Sequence, residues 1–156
     1  MFKLKILVCF IILVLFGSCS KEVSKKDLIK EKSLELQVEE AYKEGFEALN
    51  AGDVLFAAKK FNEAEILFPQ AVSAPQSALM AAYSYYTQDY YVDAIAELKR
   101  FLKVYPAHKD LGYVYYLLAI CYYEQIVDEK KDLQSIINAK ENFNIILKNY
   151  PNTEYA

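Results

Sequence analysis

The sequence predicts an all-α fold built from three consecutive helix pairs. Pro69, Pro106 and Pro151 each follow a segment whose apolar residues recur at helical spacing, and a proline ends a helix near the residue before it. These prolines are 37 and 45 residues apart, which indicates an internal repeat. Gly45 and Gly52 are the only glycines between residues 36 and 100, so little else interrupts the helical pattern.

Each predicted pair has small residues at two matching positions and a large apolar residue at a third. These are Gly45, Ala82 and Ala119 in the first helices, Ala57, Ala94 and Ala139 in the second helices, and Phe61, Leu98 and Phe143 one turn further on. Small side chains let helix backbones approach closely, and large ones fill the space between pairs. This pattern is typical of the 34-residue tetratricopeptide repeat. An unrelated helical bundle is the alternative.

The register sets the domain organisation. We expect a tetratricopeptide solenoid of three helix pairs over residues 36–156, with repeats at about 38–71, 75–108 and 112–153. Gly52 and Asp53 form the first turn. The third repeat fits only with about eight extra residues, which we place near 126–134.

The N-terminus has the pattern of a secretion signal. Two lysines among the first five residues precede an apolar run of eleven residues at 6–16, whereas a membrane-spanning helix needs about 20. The run ends in Phe16-Gly17-Ser18-Cys19, which resembles a bacterial lipobox. We therefore expect a lipoprotein signal peptide at 1–18 and an N-acyl diacylglycerol group on Cys19. A plain signal peptide with an incidental cysteine is the alternative.

The residues after the lipobox indicate where the protein resides. Ser20 follows Cys19, whereas an aspartate there would resemble the signal that retains lipoproteins in the inner membrane. Residues 19–35 are highly charged and predict a solvated tether. We expect a lipid-anchored protein of the outer membrane that faces the periplasm.

Composition excludes several functional classes. Asp and Glu (21) outnumber Lys and Arg (18), so a nucleic-acid partner is not expected. Three cysteines and one histidine supply neither a disulfide framework nor a zinc site. His108 is expected to cap or pack a turn, and Cys121 to be a small buried residue. Asp128, Glu129 and Asp132 lack the spacing of a calcium loop. No catalytic motif is found, so we expect no enzyme, no metal and no cofactor other than the lipid.

The repeat register also predicts a candidate groove along the first helices of the pairs. We use this name for ten aromatic or aliphatic residues: Tyr42, Phe46, Leu49, Leu79, Tyr83, Tyr86, Tyr113, Tyr116, Ile120 and Tyr123. The corresponding positions bind peptides in such solenoids. Tyrosine offers apolar area and a hydroxyl group at a small entropic cost, which suits a peptide surface. The alternative is that several of these rings pack against the next repeat.

Several segments together resemble one family of repeat lipoproteins. They are Tyr-x-x-Gly at 42–45, Ala-Gly-Asp at 51–53, and the stretches 79–86, 100–108, 122–132 and 149–156. With the lipobox and tether, they resemble the BamD family, the tetratricopeptide lipoproteins of the outer-membrane β-barrel assembly machinery, and its alphaproteobacterial branch most of all.

The resemblance implies a scaffold in the assembly complex. Its N-terminal repeats would help to receive unfolded outer-membrane proteins for insertion, and its partners would be a BamA-like barrel subunit and other lipoproteins of the complex. The family has further repeats beyond those predicted here, and they contact the barrel subunit. We therefore expect the N-terminal portion only, either a fragment or a natural truncation, without that contact region. The alternative is another tetratricopeptide lipoprotein adaptor, such as a secretin pilotin.

Overall fold

The computed structural model describes residues 32–128, 130 and 132–156. This part contains six helices and no strand: α1 (Leu34–Asn50), α2 (Val54–Leu67), α3 (Ala74–Tyr86), α4 (Tyr91–Val104), α5 (Leu111–Glu124) and α6 (Leu133–Asn149). Each helix packs mainly against the helices before and after it in the chain. Sequential packing of this kind is characteristic of a helical-repeat solenoid, so the predicted fold class is confirmed.

The prolines end the second helix of each pair as predicted. Helices α2, α4 and α6 each stop two residues before a proline. The residue between them has left the helical conformation in all three cases: Phe68, Tyr105 and Tyr150. Steric conflict with the proline ring disfavours a helical conformation at that position.

Helix α1 begins slightly earlier than the predicted end of the tether at residue 35. The hydroxyl oxygen of Ser33 accepts a hydrogen bond from the amide of Leu36 at 3.3 Å, and this N-cap starts the helix at Leu34. The predicted signal peptide, Cys19 and most of the predicted tether lie outside the described residues.

The first helix–helix turn is a glycine–aspartate pair. Gly52 has a φ of +83°, in the left-handed region that glycine adopts without steric cost. The Asp53 carboxylate then accepts a hydrogen bond from the amide of Phe56 at 3.1 Å and caps α2. These two residues therefore fix the angle at which the chain enters α2.

The loop between α5 and α6 occupies the position predicted for the insertion. It runs over residues 125–132. The Asp132 carboxylate accepts hydrogen bonds from the amides of Val127 (2.9 Å) and Asp128 (2.8 Å), which lower the pKa of Asp132. The loop thus folds back onto the start of α6. Glu129 lies outside the described residues.

The small positions of the repeat are the sites of closest helix contact. A Cβ atom added to Gly45 would lie 3.0 Å from the Phe61 ring, so only glycine fits there without displacing that ring. Ala82 and Ala94 are fully buried, as is the large residue Leu98. Phe143, the third large residue, is half-buried because it lies in the last described helix.

Candidate peptide-binding groove

The ten residues of the candidate groove differ in exposure. Phe46 (49% exposed), Tyr123 (58%) and Tyr83 are exposed. Half-buried are Tyr42, Leu49, Tyr86, Tyr113, Tyr116 and Ile120. Leu79 is only 5% exposed, because it packs in the apolar cluster formed by α3, α4 and α5. The prediction of Leu79 as an open groove residue therefore needs correction. Leu79 belongs to the core, and little of its side chain is exposed.

A first cleft lies between the N-terminal halves of α1 and α3 and encloses about 370 Å³. Its lining comes from α1, the α2–α3 loop and the start of α3: Glu35, Val38, Glu39, Tyr42, Phe68, Ala71, Ser73, Gln76 and Ser77. The Tyr42 ring forms one wall and packs edge-on against Phe61, with ring centroids 5.2 Å apart. The surface of this cleft is mainly apolar, and Glu35 and Glu39 in its lining are exposed.

A second cleft, of about 480 Å³, lies between the C-terminal halves of the same two helices. Three residues of the candidate groove line it: Phe46, Leu49 and Tyr83. Asn50, Thr87 and Gln88 supply polar groups at its edge. The structure therefore brings candidate residues of the first and second repeats together in one cleft.

A third cleft, of about 390 Å³, lies beside α5 and includes a residue that the sequence analysis missed. Tyr155 lines it together with Tyr113 and Leu79. The Tyr155 ring lies 5.4 Å from the ring of Tyr113 and 5.3 Å from that of Tyr116. No repeat position marks Tyr155, because it follows the last predicted helix; only its aromatic character was a signal.

Tyr123 is separated from the other candidate residues. It lines a different cleft with Glu124, Ile126, Val127 and Ile136, next to the α5–α6 loop. Helical periodicity places it on the same stripe as Tyr116, but the inserted loop gives it other neighbours. The candidate groove is therefore best described as three clefts, and Tyr86, Tyr116, Ile120 and Tyr123 are not among the residues that line them.

The tyrosine hydroxyl groups of the groove are not used within the described part of the chain. Tyr42, Tyr83, Tyr86, Tyr113, Tyr116 and Tyr123 make no side-chain hydrogen bond to another described residue, and no buried side-chain polar atom there lacks a partner. Burial, followed by the nearby phenols of Tyr83 and Tyr155, raises the pKa of Tyr113 to about 12. The Tyr113 phenol is therefore a neutral donor and acceptor at physiological pH.

A polar network links the second helices of the first two repeats and was not predicted. Arg100 on α4 donates two hydrogen bonds to the Glu65 carboxylate on α2, at 2.9 and 2.6 Å. The Tyr105 hydroxyl donates to the same carboxylate at 2.7 Å. Arg100 also contacts Glu97 and Asn62. We call these five residues the Glu65 network; the sequence signal was a glutamate within the apolar end of α2.

Within the network, charge and burial act together. The Glu65 side chain is 5% exposed, and its two oxygens receive three hydrogen bonds. The hydrogen bonds to Glu65 raise the pKa of Arg100 above its usual range. Burial and the hydrogen bond to Glu65 likewise raise the pKa of Tyr105. The network therefore joins two repeats through a satisfied buried carboxylate.

His108 and Cys121 occupy the places expected of them. The Nδ1 atom of His108 accepts a hydrogen bond from the amide of Asp110 at 3.3 Å, and its ring packs edge-on against Phe101 at 5.5 Å. Cys121 is fully buried, which raises the pKa of its thiol to about 12. The described residues contain no cluster of His, Cys, Asp and Glu suited to a metal ion. None of the helices described is long and apolar enough to cross a bilayer.

Comparison with known proteins identifies relatives of this chain. Residues 34–156 match the family model YfiO, described as an outer membrane lipoprotein. The chain is 35% identical over 140 residues to the outer membrane protein assembly factor BamD of Caulobacter vibrioides, covering 90% of this chain and 45% of that protein. It is 29% identical over 143 residues to the protein of the same name from Rickettsia prowazekii, covering 92% and 55%.

A third relative carries the same name. Outer membrane protein assembly factor BamD of Neisseria gonorrhoeae is 28% identical over 129 residues, covering 76% of this chain and 48% of that protein. The chain thus spans about half the length of these relatives. Because the family model covers all six helices, the chain belongs to the YfiO family of outer membrane lipoproteins.

Proposed function

We propose that this chain acts as a non-enzymatic, lipid-anchored scaffold in the assembly of outer-membrane β-barrel proteins, helping to receive unfolded clients for insertion. All three relatives are named as outer membrane protein assembly factors, and the family is described as an outer membrane lipoprotein. None of these descriptions suggests a secretin pilotin. The expected partners are a BamA-like barrel subunit, other lipoproteins of the complex and unfolded barrel segments.

The observation that carries the proposal is the series of clefts along α1, α3 and α5. Their walls combine aliphatic groups with Tyr42, Tyr83 and Tyr113, whose hydroxyls have no hydrogen-bond partner among the described residues. A strand of an unfolded β-barrel carries an apolar side chain at every second position and an unpaired backbone in between. The clefts would take the apolar side chains, and the phenols would bond the backbone groups between them.

Binding by these clefts is testable with a labelled peptide. Tyr83 lines the second cleft, and the Tyr116 ring packs against Tyr155, which lines the third. We expect Tyr83→Ala and Tyr116→Ala each to weaken binding of a fluorescent ten-residue peptide from the C-terminus of a barrel protein by about fivefold to tenfold, as for a tyrosine anchor of ordinary strength. Fluorescence anisotropy measures the affinity. Tyr90→Ala is the matched control, since Tyr90 is exposed on the α3–α4 turn outside the clefts. Equal affinities for all four proteins would refute the groove.

The lipid anchor is a separate part of the proposal. Acyl chains on Cys19 would hold the protein at the outer membrane, because several chains bind a bilayer far more strongly than one. Labelled palmitate should enter the wild-type protein and not Cys19→Ser, which should also be recovered from the soluble periplasmic fraction. Incorporation of label into Cys19→Ser would contradict the assignment.

A further inference from the structure

The glutamates of α1 divide into two groups by their partners. Helix α1 contains five glutamates, and three of them pair with lysines: Glu40 with Lys32 at 2.6 Å, Glu44 with Lys60 at 2.8 Å and Glu47 with Lys43 at 3.8 Å. The other two, Glu35 and Glu39, line the first cleft. Neither forms an ion pair or a side-chain hydrogen bond with another described residue. The unpaired carboxylates are thus those at the cleft.

Helix stability alone does not account for both carboxylates. Glu35 lies in the first turn of α1, where a negative charge interacts favourably with the helix dipole. Glu39 lies one turn later and gains little from that effect. Residues four apart share a helix face, so the two like charges repel each other there. A cation at the mouth of the cleft would relieve this repulsion.

The other seven residues that line the first cleft are apolar or uncharged. Val38, Tyr42, Phe68 and Ala71 form an apolar interior, and Ser73, Gln76 and Ser77 form the opposite wall. None of the nine lining residues is a lysine, arginine or histidine. The cleft therefore combines a space for one apolar side chain with a negative mouth and no group that would neutralise a carboxylate.

We infer that the first cleft selects client segments in which a lysine or arginine adjoins the apolar anchor residue. The anchor side chain fills the space between Tyr42 and Phe68, and the basic side chain lies against Glu35 and Glu39. A free terminal carboxylate beside the anchor is disfavoured by the same charges. This inference rests on the proposed function and adds the charge of the preferred segment.

The experiment compares matched peptides on the intact purified protein. Labelled ten-residue peptides carry one phenylalanine anchor followed by lysine or by glutamate, both with amidated C-termini. A second pair ends in the phenylalanine, as the amide or as the free acid. We expect wild type to prefer the lysine peptide by about tenfold and the amide by about threefold, with both preferences reduced at 0.5 M salt.

The carboxylates are then neutralised without change of shape. Glu39→Gln should reduce the lysine preference to about threefold, and the double variant Glu35→Gln/Glu39→Gln should abolish it. Glu47→Gln is the matched control, because Glu47 lies on the same helix away from the cleft and pairs with Lys43. A control that changes the preference as much as Glu39→Gln would overturn the inference.

The outcomes separate the inference from the proposed function. If neither peptide binds wild type, the proposed function fails. If both bind with equal affinity, or the preference survives in the double variant, the groove stands and the charge selection is wrong.

The tether offers a competing occupant, since residues 25–30 read Lys-Lys-Asp-Leu-Ile-Lys. If replacing Lys25, Lys26 and Lys30 by alanine tightens binding of the lysine peptide tenfold or more, the chain itself occupies the cleft and the inference is overturned.

Discussion

The two sides of the helical array use tyrosine in opposite ways. On the side of the second helices, Tyr105 donates its hydroxyl to a buried carboxylate that Arg100 also binds. On the side of the first helices, Tyr83 and Tyr116 have no such partner in the described part of the chain. Phenols bonded internally fix how one repeat sits on the next, whereas phenols without an internal partner remain available to a ligand. The same residue type therefore supports structure on one side and, on the other, offers hydroxyl groups on the surface for which we propose peptide binding.

The largest effect is expected where the Glu65 network loses its cation. Arg100→Ala should lower the free energy of unfolding by about 2 kcal/mol, because it leaves the Glu65 carboxylate buried with Tyr105 as its remaining strong donor. The value lies below that for a fully buried pair because Arg100 is partly exposed. Urea unfolding followed by circular dichroism measures it.

The control for that variant is Lys103→Ala on the same helix. Lys103 is exposed and pairs with no carboxylate among the described residues, so its removal should change stability by less than about 0.5 kcal/mol. Equal losses for Lys103→Ala and Arg100→Ala would mean that the network contributes no more than an ordinary surface charge.

A smaller effect tests the contrast between the two classes of tyrosine directly. Tyr105→Phe removes one hydrogen bond to Glu65 and should cost about 1 kcal/mol. Tyr83→Phe removes a hydroxyl without an internal partner and should cost less than about 0.5 kcal/mol. Urea unfolding curves of the two variants, measured at pH 7, give the two free-energy costs to be compared. A Tyr83→Phe cost equal to that of Tyr105→Phe would remove the distinction.

The smallest effect appears in alkaline solution. Since the pKa of Tyr113 is raised to about 12 in the folded protein, its contribution to stability is complete below pH 10, the ordinary tyrosine range, and is lost as pH rises towards 12. At pH 10.5 the loss should be less than about 1 kcal/mol. Tyr113→Phe should show a shallower fall between pH 9 and 10.5 in urea unfolding. An identical fall in both proteins would contradict burial of this phenol.

Features that depend on one repeat unit were predictable from sequence. Helix ends followed from the prolines, and the first turn followed from Gly52 and Asp53, because each depends on local sterics and local hydrogen bonds. The close contact at Gly45 followed from the small-residue positions. These rules act within a few residues of the position they describe.

Features that depend on neighbouring elements were not predictable in the same way. Periodicity placed Leu79 on the groove stripe, but the apolar cluster formed by α3, α4 and α5 buried it. Tyr123 shared that stripe and was separated from it by the inserted loop. Tyr155 contacts residues of another element, and the Glu65 network joins residues of two different helices. A single sequence read without an alignment does not show which distant residues contact each other.

Helix α3 contributes a wall to each of the three clefts, with Ser77 in the first, Tyr83 in the second and Leu79 in the third. Its alanines at 78, 81 and 82 are fully buried against both neighbouring helices, so a displacement of α3 would involve the whole helix. A peptide that displaced α3 in one of these clefts would therefore also change the width of the other two.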